Sequence, residues 1–388
     1  MLMLALDGRL DDWTVDLDRL APTAEFVAGV IRERYPGLDV PVHSRWRHFV
    51  FGGRSLWDGI RVKADWKSAD AAARSAFDLV ITSVLLDAGA GAGWRFHDHA
   101  TGLVAARSEG LALASLRWFE SGGLADQPGD PFRVDAAVLR RAESQALQSA
   151  FQVSETNRLL GLEGRTALLN RLGAVMESRP DLFATRDLPR PGGLFDALRA
   201  RASNGRLPAA TILATLLEAL GPIWQGRPSL GGVPLGDCWP HPALVEDSPE
   251  GGYVPLHKLS QWLTYSLLEP LENAGVRVSD LHELTGLAEY RNGGLFVDMG
   301  VLNPRDPASL SKTYTVADPF VVGWRALTVA LLDRLAPLVG ARLGLTQDQF
   351  PLAKLLEGGT WAAGRLSARQ TRADGGPPFH VSSDGTVF

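Results

Sequence analysis

The sequence contains a single cysteine, Cys238, among 388 residues. One thiol cannot form an intramolecular disulfide, so the chain does not depend on an oxidising compartment for its folding. The N-terminus also lacks the basic segment that opens a secretory signal, and acidic residues follow from Asp7 onward. We therefore expect a cytoplasmic protein.

Long apolar runs and a surplus of basic charge are missing as well. No run of about 18 uncharged apolar residues occurs, which argues against a membrane span. The net charge is −5 and the pI is near 5.9, with the arginines dispersed along the chain. Because phosphate binding usually leaves a basic patch, nucleic acid is not the expected partner. A small molecule is the expected partner instead.

Three motifs that define large enzyme classes do not occur. The chain has no GxGxxG after a strand, no GxxxxGK[ST] and no GxSxG elbow. These absences remove dinucleotide, P-loop and serine-hydrolase interpretations. We expect no cofactor.

Helical periodicity dominates what is present, with apolar residues recurring at three- and four-residue spacing. The predicted helices cover 18–35, 68–88, 107–122, 134–152, 162–177, 208–224, 256–273, 318–343 and 346–370. Strand-like segments are few: "RHFVFG", "WRFHD", "GGLFVDMGVL" and "PFHVSSDGTVF". The pattern predicts a mainly α protein with one or two small hairpins. We expect one large domain over 1–388, with a loose subdivision near residue 190.

The segment 256–273, "LHKLSQWLTYSLLEPLEN", predicts an amphipathic helix with two different faces. Leucines occupy one arc. The other arc carries polar and aromatic side chains, among them His257, Lys258, Gln261, Trp262 and Tyr265. This second face is either the solvated side of a surface helix or one wall of a ligand cleft.

The segment "LHELTGLAEYRNGGLFVDMGVL" gathers Glu289, Tyr290 and Arg291 before Asn292-Gly293-Gly294, with Asp298 shortly after. The glycines predict a tight turn where backbone approaches a ligand closely. Arg291 could keep Glu289 or Asp298 ionised, or bind a substrate phosphate. A structural ion pair that closes a hairpin is the alternative.

Two further segments carry candidate binding residues. In "RWRHF" a strand would point Arg45 and Arg47 the same way, as a phosphate clamp or as a solvated basic strand. In "LEGGTWAAGR" four-residue spacing places Glu357, Trp361 and Arg365 on one helical face. That face is either a cleft wall or an ion pair packed over an indole.

Two stretches resemble metal sites only in composition. The first contains His97, Asp98 and His99, and the second contains Asp237, Cys238 and His241. Three such ligands suffice for a catalytic zinc. Neither stretch has HExxH or paired CxxC spacing, so we predict no metal and keep a zinc-dependent hydrolase as an alternative.

Several long motifs resemble a protein family of bacteria and fungi that is associated with the URC pathway of uracil catabolism. These motifs are "PLHKLSQWLTYSLLEPL", "LTGLAEYRNGGLFVDMGVL", "LEGGTWAAGR" and "SDGTVF". "LTGLAEYRNGG" is also similar to the Leu-Thr-x-Phe-Ala-Asp-Tyr-Arg motif of queuosine-salvage nucleotide glycohydrolases, with Glu289 at the aspartate position. Those enzymes are helical proteins akin to helix-hairpin-helix DNA glycosylases, so the resemblance implies a related fold.

Together these resemblances imply hydrolysis of the N-glycosidic bond of ribosylurea or its 5′-phosphate. Glu289 or Asp298 would stabilise an oxocarbenium-like charge or accept a proton, and His257 or Lys258 would donate one or hold a phosphate. The other binding candidates are Arg291, Tyr290, Gln261, Trp262, Tyr265, Arg45, Arg47, Trp361 and Arg365. A non-enzymatic binding or scaffold protein of the same pathway is the alternative. The leucine-rich faces fit either a monomer or a homodimer.

Overall fold

The computed structural model describes residues 1–91, 93–127, 129–184, 188–245 and 251–382. The chain forms two compact units, each built from separate stretches of sequence. The first unit comprises Met1–His43, Asp237–Gln261 and Leu281–Ser382. The described part of the second unit comprises Ser44–Gly236 and Trp262–Asp280. None of these boundaries lies near residue 190. The organisation as one large domain stays a prediction.

Helices form most of the first unit. The helix Lys258–Asn273 contributes only its first four residues to this unit and the remainder to the second. The unit also contains a π-helical turn at Leu355–Thr360 and ten further helical segments in the described residues. They are Leu2–Leu6, Leu17–Arg19, Leu20–Arg34, Pro242–Leu244, Leu281–Glu283, Tyr290–Asp298, Pro307–Ser311, Pro319–Leu343, Leu352–Lys354 and Trp361–Thr371.

The second unit is also mainly helical. Its helix Ala69–Leu85 begins at Ser68, whose hydroxyl accepts a hydrogen bond from the backbone N–H of Ala71, as a Ser N-cap does. The remaining helical segments vary from three residues to seventeen. They are Arg45–Phe49, Leu56–Ala64, Arg107–Glu120, Ala136–Arg140, Ser144–Ala150, Leu162–Ser178, Pro180–Phe183, Gly193–Arg201, Ala209–Leu220 and Gly221–Ile223.

Strands occur only as short two-stranded pairs in the described residues. In the first unit the pairs are Trp13–Val15 with Leu302–Pro304, Cys238–Pro240 with Tyr253–Pro255, and Thr313–Tyr314 with His380–Val381, the last parallel. In the second unit they are Val50–Phe51 with Arg54–Ser55, Phe96–Asp98 with Leu103–Ala105, Arg206–Pro208 with Arg277–Ser279 (parallel), and Ser229–Leu230 with Val233–Pro234. The mainly α prediction is confirmed, whereas a relation to helix-hairpin-helix folds stays a prediction. No helix of the described residues is long and apolar enough to cross a membrane.

Two predicted strands are helical instead. "GGLFVDMGVL" continues the helix Tyr290–Asp298, and only its end reaches the strand Leu302–Pro304. "RWRHF" forms the 3₁₀ turn Arg45–Phe49, in which residues three apart lie above one another. Arg45 Nη1 and His48 Nδ1 consequently lie 3.3 Å apart. The expected parallel arrangement of Arg45 and Arg47 on a strand was wrong. The last six residues of the predicted strand segment "PFHVSSDGTVF" lie outside the described residues.

The helix Trp361–Thr371 packs directly on the helix Tyr290–Asp298 through Gly364. A Cβ atom at Gly364 would lie 2.2 Å from the carbonyl oxygen of Arg291, which is part of the backbone and cannot rotate away. A similar close approach occurs at Gly293, where a Cβ atom would lie 2.5 Å from the indole of Trp324. The glycines therefore allow helices to approach closely, and the expected glycine turn at Asn292-Gly293-Gly294 was wrong.

Replacement of Gly364 by alanine should lower the free energy of unfolding by roughly 1–3 kcal/mol, because the added methyl group overpacks the helix crossing. Gly29→Ala is the matched control, since it lies in the helix Leu20–Arg34 with nothing within 4 Å of its Cβ position. That variant should gain up to about 1 kcal/mol from helix propensity. Guanidinium unfolding of both proteins checks the difference. Equal stabilisation by both changes would contradict the close packing.

Candidate functional site

Glu289 caps the helix Tyr290–Asp298 with its carboxylate. One carboxylate oxygen accepts the backbone N–H of Arg291 at 2.8 Å, and the other accepts that of Asn292 at 2.6 Å. An N-cap acceptor satisfies donors that the first helical turn leaves unpaired, and a negative charge is stabilised there by the helix dipole. These two hydrogen bonds hold the carboxylate in one orientation. Glu289 is also buried, with 7% of its surface exposed.

Arg291 and Tyr290 follow on the first turn of this helix. The Arg291 guanidinium lies 4.7 Å from the centre of the Tyr290 ring, which is within the range of a cation–π contact. Its Nη1 donates to the carbonyl oxygen of Gly375 at 3.2 Å. Arg291 is 3% exposed, so its charge stays in a buried environment beside Glu289.

Asp237 fixes the turn that carries His257 and Lys258. Its backbone oxygen accepts the N–H groups of Leu256 and His257 at 3.0 Å each, and its Oδ2 accepts the N–H of Lys258 at 3.0 Å. His257 has a left-handed backbone with φ of 43°, which a residue other than glycine adopts at some cost. The three hydrogen bonds hold this conformation in place.

Arg325 connects that turn to the segment before Glu289. Its Nη1 and Nη2 donate to the two carboxylate oxygens of Asp237 at 2.7 Å, and its Nε donates to the carbonyl oxygen of Ala288 at 3.1 Å. The Arg325 side chain is 1% exposed. One buried guanidinium therefore links the turn that carries His257 and Lys258 to the Ala288 carbonyl, directly before Glu289.

Burial shifts the pKa values of Glu289 and His257 in opposite directions. Burial raises the pKa of Glu289, while its backbone hydrogen bonds and the charges of Lys258 and Arg291 partly offset that rise. Burial lowers the pKa of His257, so its imidazole is neutral near pH 7. Glu289 is a buried carboxylate close to two cations, which is a pattern common at catalytic sites.

Gln261 lies one turn beyond Lys258 and joins the same region. Its Oε1 accepts the backbone N–H of Thr285 at 3.3 Å, which ties the helix Lys258–Asn273 to the segment before Glu289. Gln261 is 5% exposed. Lys258 and Gln261 therefore lie close to the segment that contains Glu289.

Asp298 is held at the other end of the helix Tyr290–Asp298. Its carboxylate binds Arg372 through both oxygens, at 2.5 Å and 3.0 Å, and accepts the hydroxyl of Ser367 at 2.9 Å. Its side chain is 2% exposed. Asp298 therefore connects the helix Tyr290–Asp298 to the helix Trp361–Thr371 and to Arg372 directly after it. Because Asp298 has these side-chain partners, we favour Glu289 as the candidate reactive carboxylate.

The "LEGGTWAAGR" segment changes helix type between its candidate residues. Glu357 lies in the π-helical turn, where its carboxylate is 2.6 Å from Nδ1 of His43. Trp361 begins the next helix, and the guanidinium of Arg365 lies 5.3 Å from the Trp361 ring. Trp361 and Arg365 lie in the same helix as Gly364, which contacts the Arg291 backbone.

Four predicted residues belong to the second unit. Arg45 is fully buried, where it donates to Asp87 and Ser83 at 2.7 Å each. The ring of Trp262 lies 5.5 Å from that guanidinium, and Tyr265 on the same helix is fully buried. Arg47 binds both carboxylate oxygens of Glu269 at 2.6 Å. Arg45 thus has an internal partner, and contact of these four side chains with a substrate stays a prediction.

The two stretches that were considered as metal sites contain carboxylates that bind arginines instead. His97 and His99 are exposed, while Asp98 between them binds Arg117 at 2.9 Å and 2.8 Å. Asp237 pairs with Arg325, as described. Burial and the charge of Asp237 raise the pKa of Cys238 to about 11, so its thiol is protonated near neutral pH. Within the described ranges, no group of three or more His, Cys, Asp or Glu residues is arranged to hold a metal.

The fold and this site define a mainly helical protein with a buried carboxylate as its candidate reactive group. A family model described as "Protein of unknown function (DUF1688)" matches residues 1–388, and the chain belongs to this family. "Protein urg3" of Schizosaccharomyces pombe is 38% identical over 397 residues, which cover 100% of this chain and 95% of the relative. "Uracil catabolism protein 4" of Lachancea kluyveri is 36% identical over 420 residues, which cover 98% and 93%. These relatives confirm the resemblance of the motifs to the uracil-catabolism family. A relation to queuosine-salvage nucleotide glycohydrolases stays a prediction.

Proposed function

We propose that this protein acts in uracil catabolism and hydrolyses the N-glycosidic bond of ribosylurea or its 5′-phosphate. The relative named "Uracil catabolism protein 4" supports the pathway. The observation that carries the reaction is the Glu289 carboxylate, buried, bound by two backbone N–H groups and close to Lys258.

The reaction breaks the bond between ribose C1′ and the urea nitrogen. Its electron pair leaves with the nitrogen, and C1′ acquires oxocarbenium-like positive charge. Water adds to C1′ and loses a proton, while the departing nitrogen gains one, so the products are urea and the free sugar. Ionised Glu289 stabilises the charge at C1′. Its oxygens are already oriented by backbone donors, so little reorganisation is needed during the reaction.

Lys258 supplies the proton that the leaving urea requires. A urea anion is a poor leaving group, and general acid catalysis typically contributes about 10²–10⁴ in rate. Lys258 is held by Asp237 at its backbone N–H, and its charge already acts on Glu289. His257, neutral because burial lowers its pKa, is assigned a hydrogen bond to the ureido group.

Binding of the substrate is assigned to side chains around the helix crossing. Tyr290 and Trp361 offer aromatic faces to the sugar or ureido plane, and Gln261 offers an amide. Arg365 offers a guanidinium to a 5′-phosphate, which such a group can bind through two hydrogen bonds.

The test is to incubate purified protein, after treatment with a chelator, with ribosylurea and separately with its 5′-phosphate. We expect urea from at least one compound. No urea from either, with both compounds recovered intact, would contradict the proposal and favour a binding or scaffold protein. Activity that disappears on chelation and returns with zinc would favour a zinc-dependent hydrolase.

If the phosphorylated compound is the substrate, Arg365→Ala should raise its KM by about 10–100-fold, because one charge-assisted contact is worth roughly 1.5–3 kcal/mol. The rate with the unphosphorylated compound should change little. Lys354→Ala, which removes another cation of the first unit, is the control. Equal effects of Arg365→Ala on both compounds would show that this guanidinium does not bind the phosphate.

A further inference from the structure

A cavity of about 310 Å³ lies in the second unit. Arg47 is the one lining residue that the sequence predicted to contact the substrate, and the proposed reaction assigns no role to it. Indole rings form part of its wall, so we name it the indole cavity. Its lining includes Trp46, Trp57, Arg47, Glu269, Ala72 and Asn273. The volume is at the lower end of the range for small-molecule sites.

Small side chains on one helix leave the space open. Ala69, Ala72, Ala73 and Ala76 line the indole cavity from the helix Ala69–Leu85. Their spacing puts all four methyl groups on one helical face, where larger side chains would fill the volume. The space therefore depends on the absence of a bulky residue along this face.

The indoles that line the indole cavity are fixed in orientation. Trp46 donates its Nε1–H to the carbonyl oxygen of Ser266 at 2.8 Å. Trp57 stacks on Trp66 with ring centres 5.3 Å apart, and Trp46 lies edge-on to Trp57 at 5.3 Å. Rigid aromatic walls of this kind favour a planar ligand and lose little side-chain entropy on binding.

The charges around the indole cavity are balanced. Arg47 binds Glu269 at 2.6 Å, and Arg61 lies 3.7 Å from Asp58. Two cations paired with two anions give no net attraction for a charged ligand, so a neutral one fits best.

Polar residues that line the indole cavity offer both hydrogen-bond donors and acceptors to a ligand. Within the described residues the Arg47 guanidinium binds Glu269 through Nη2, and a guanidinium carries five N–H donors, so it retains donor capacity beyond that contact. The Glu269 carboxylate and the Asn273 amide, which also line the cavity, supply acceptors. A ligand edge that carries a carbonyl beside an N–H complements this arrangement.

We propose that the indole cavity is a second binding site for a neutral, planar heterocycle whose edge alternates carbonyl and N–H groups. Uracil has these features and is the probe. The existence of a binding site follows from the cavity alone, whereas the choice of uracil as its ligand rests on the proposed function. Binding there gives the protein a way to sense such a heterocycle without turning it over.

Calorimetric titration of the full-length protein with uracil tests the proposal. Ala72→Leu should weaken binding about tenfold or more, because the added carbons occupy the ligand's volume. Ala71→Leu is the matched control, since it adds the same side chain to the same helix at a position that does not line the cavity. It should leave the Kd within about twofold.

Two analogues test the chemistry of the ligand. Dihydrouracil keeps the hydrogen-bonding edge but has a puckered ring, and orotate keeps the planar ring but adds a carboxylate. Both should bind more weakly than uracil. Uracil binding that is absent, or unchanged in Ala72→Leu, would overturn the proposal.

The two proposals fail separately. Ala72→Leu should release urea at the wild-type rate, and Glu289→Gln should bind uracil with the wild-type Kd. Uracil binding that is lost in Glu289→Gln but kept in Ala72→Leu would place the ligand outside the indole cavity and overturn this inference, while leaving the proposed reaction intact.

Discussion

Glu289→Gln should lower kcat/KM for urea release by about 10²–10⁴, because the variant removes the negative charge that stabilises C1′ in the transition state. The change is nearly isosteric. One oxygen of the glutamine can still accept a backbone N–H, but its amide nitrogen cannot accept the other. The weakened cap should cost about 1–2 kcal/mol of stability, which leaves a folded protein for the kinetic comparison.

Asp298→Asn is the control for this change. Both positions carry buried carboxylates at the ends of the same helix, and both are carboxylates that the sequence marks as catalytic candidates. Because Asp298 is engaged by Arg372 and Ser367, its replacement should reduce stability more than it reduces kcat. A loss of turnover in Asp298→Asn with activity retained in Glu289→Gln would reverse the assignment.

The pH dependence gives a further check on the same carboxylate. Burial raises the pKa of Glu289 above its ordinary value of 4.5, and the reaction requires the ionised form. Activity should therefore fall as the pH decreases through that raised pKa, so the acidic limb of kcat/KM should lie above pH 4.5. The residual activity of Glu289→Gln should lack this limb.

Asp237→Asn should lower the free energy of unfolding by about 3–5 kcal/mol, because it leaves the Arg325 guanidinium buried without its anion. It also weakens the anchor at the Lys258 N–H, so kcat/KM should fall as well. Guanidinium unfolding measures the first effect and urea release the second.

A double-mutant cycle with Arg325→Met isolates the pair. If the cost comes from an unpaired buried charge, the double variant should be more stable than Asp237→Asn alone, since no charge remains. Stability losses that simply add would contradict the coupling.

The ion pair also predicts a dependence on acid. The Arg325 guanidinium holds the pKa of Asp237 below its ordinary value of 3.8, despite an opposing effect of burial. A carboxylate with a lowered folded pKa contributes stability above its unfolded pKa, and this contribution is lost as the pH falls below about 4. The wild type should therefore lose more stability than Asp237→Asn in this range.

Local patterns in the sequence predict much of the helical structure. The periodicity of 256–273 corresponds to the helix Lys258–Asn273, and that of 318–343 to Pro319–Leu343, because amphipathic or buried helices repeat at about 3.6 residues. The same reasoning brings Lys258 and Gln261 to one side of their helix. These are properties that a short window of sequence contains.

The remaining features depend on partners that are distant in sequence. Gly293 is needed because of Trp324, and Gly364 because of the Arg291 carbonyl, so the glycines suggested a turn when read without those neighbours. Local sequence patterns did not identify Arg325 as a site residue. A single arginine in "VVGWRALTVALL" does signal a buried charge that requires an acid, but nothing local identifies Asp237, 88 positions away.

The most direct test of the central claim is the product ratio after incubation of the wild-type protein with ribosylurea or its 5′-phosphate. Cleavage of the C1′–N bond predicts urea and ribose, or ribose 5-phosphate, in a one-to-one ratio, with neither product formed at a comparable rate by Glu289→Gln. Ammonia without free urea, or intact substrate after prolonged incubation, would contradict the account.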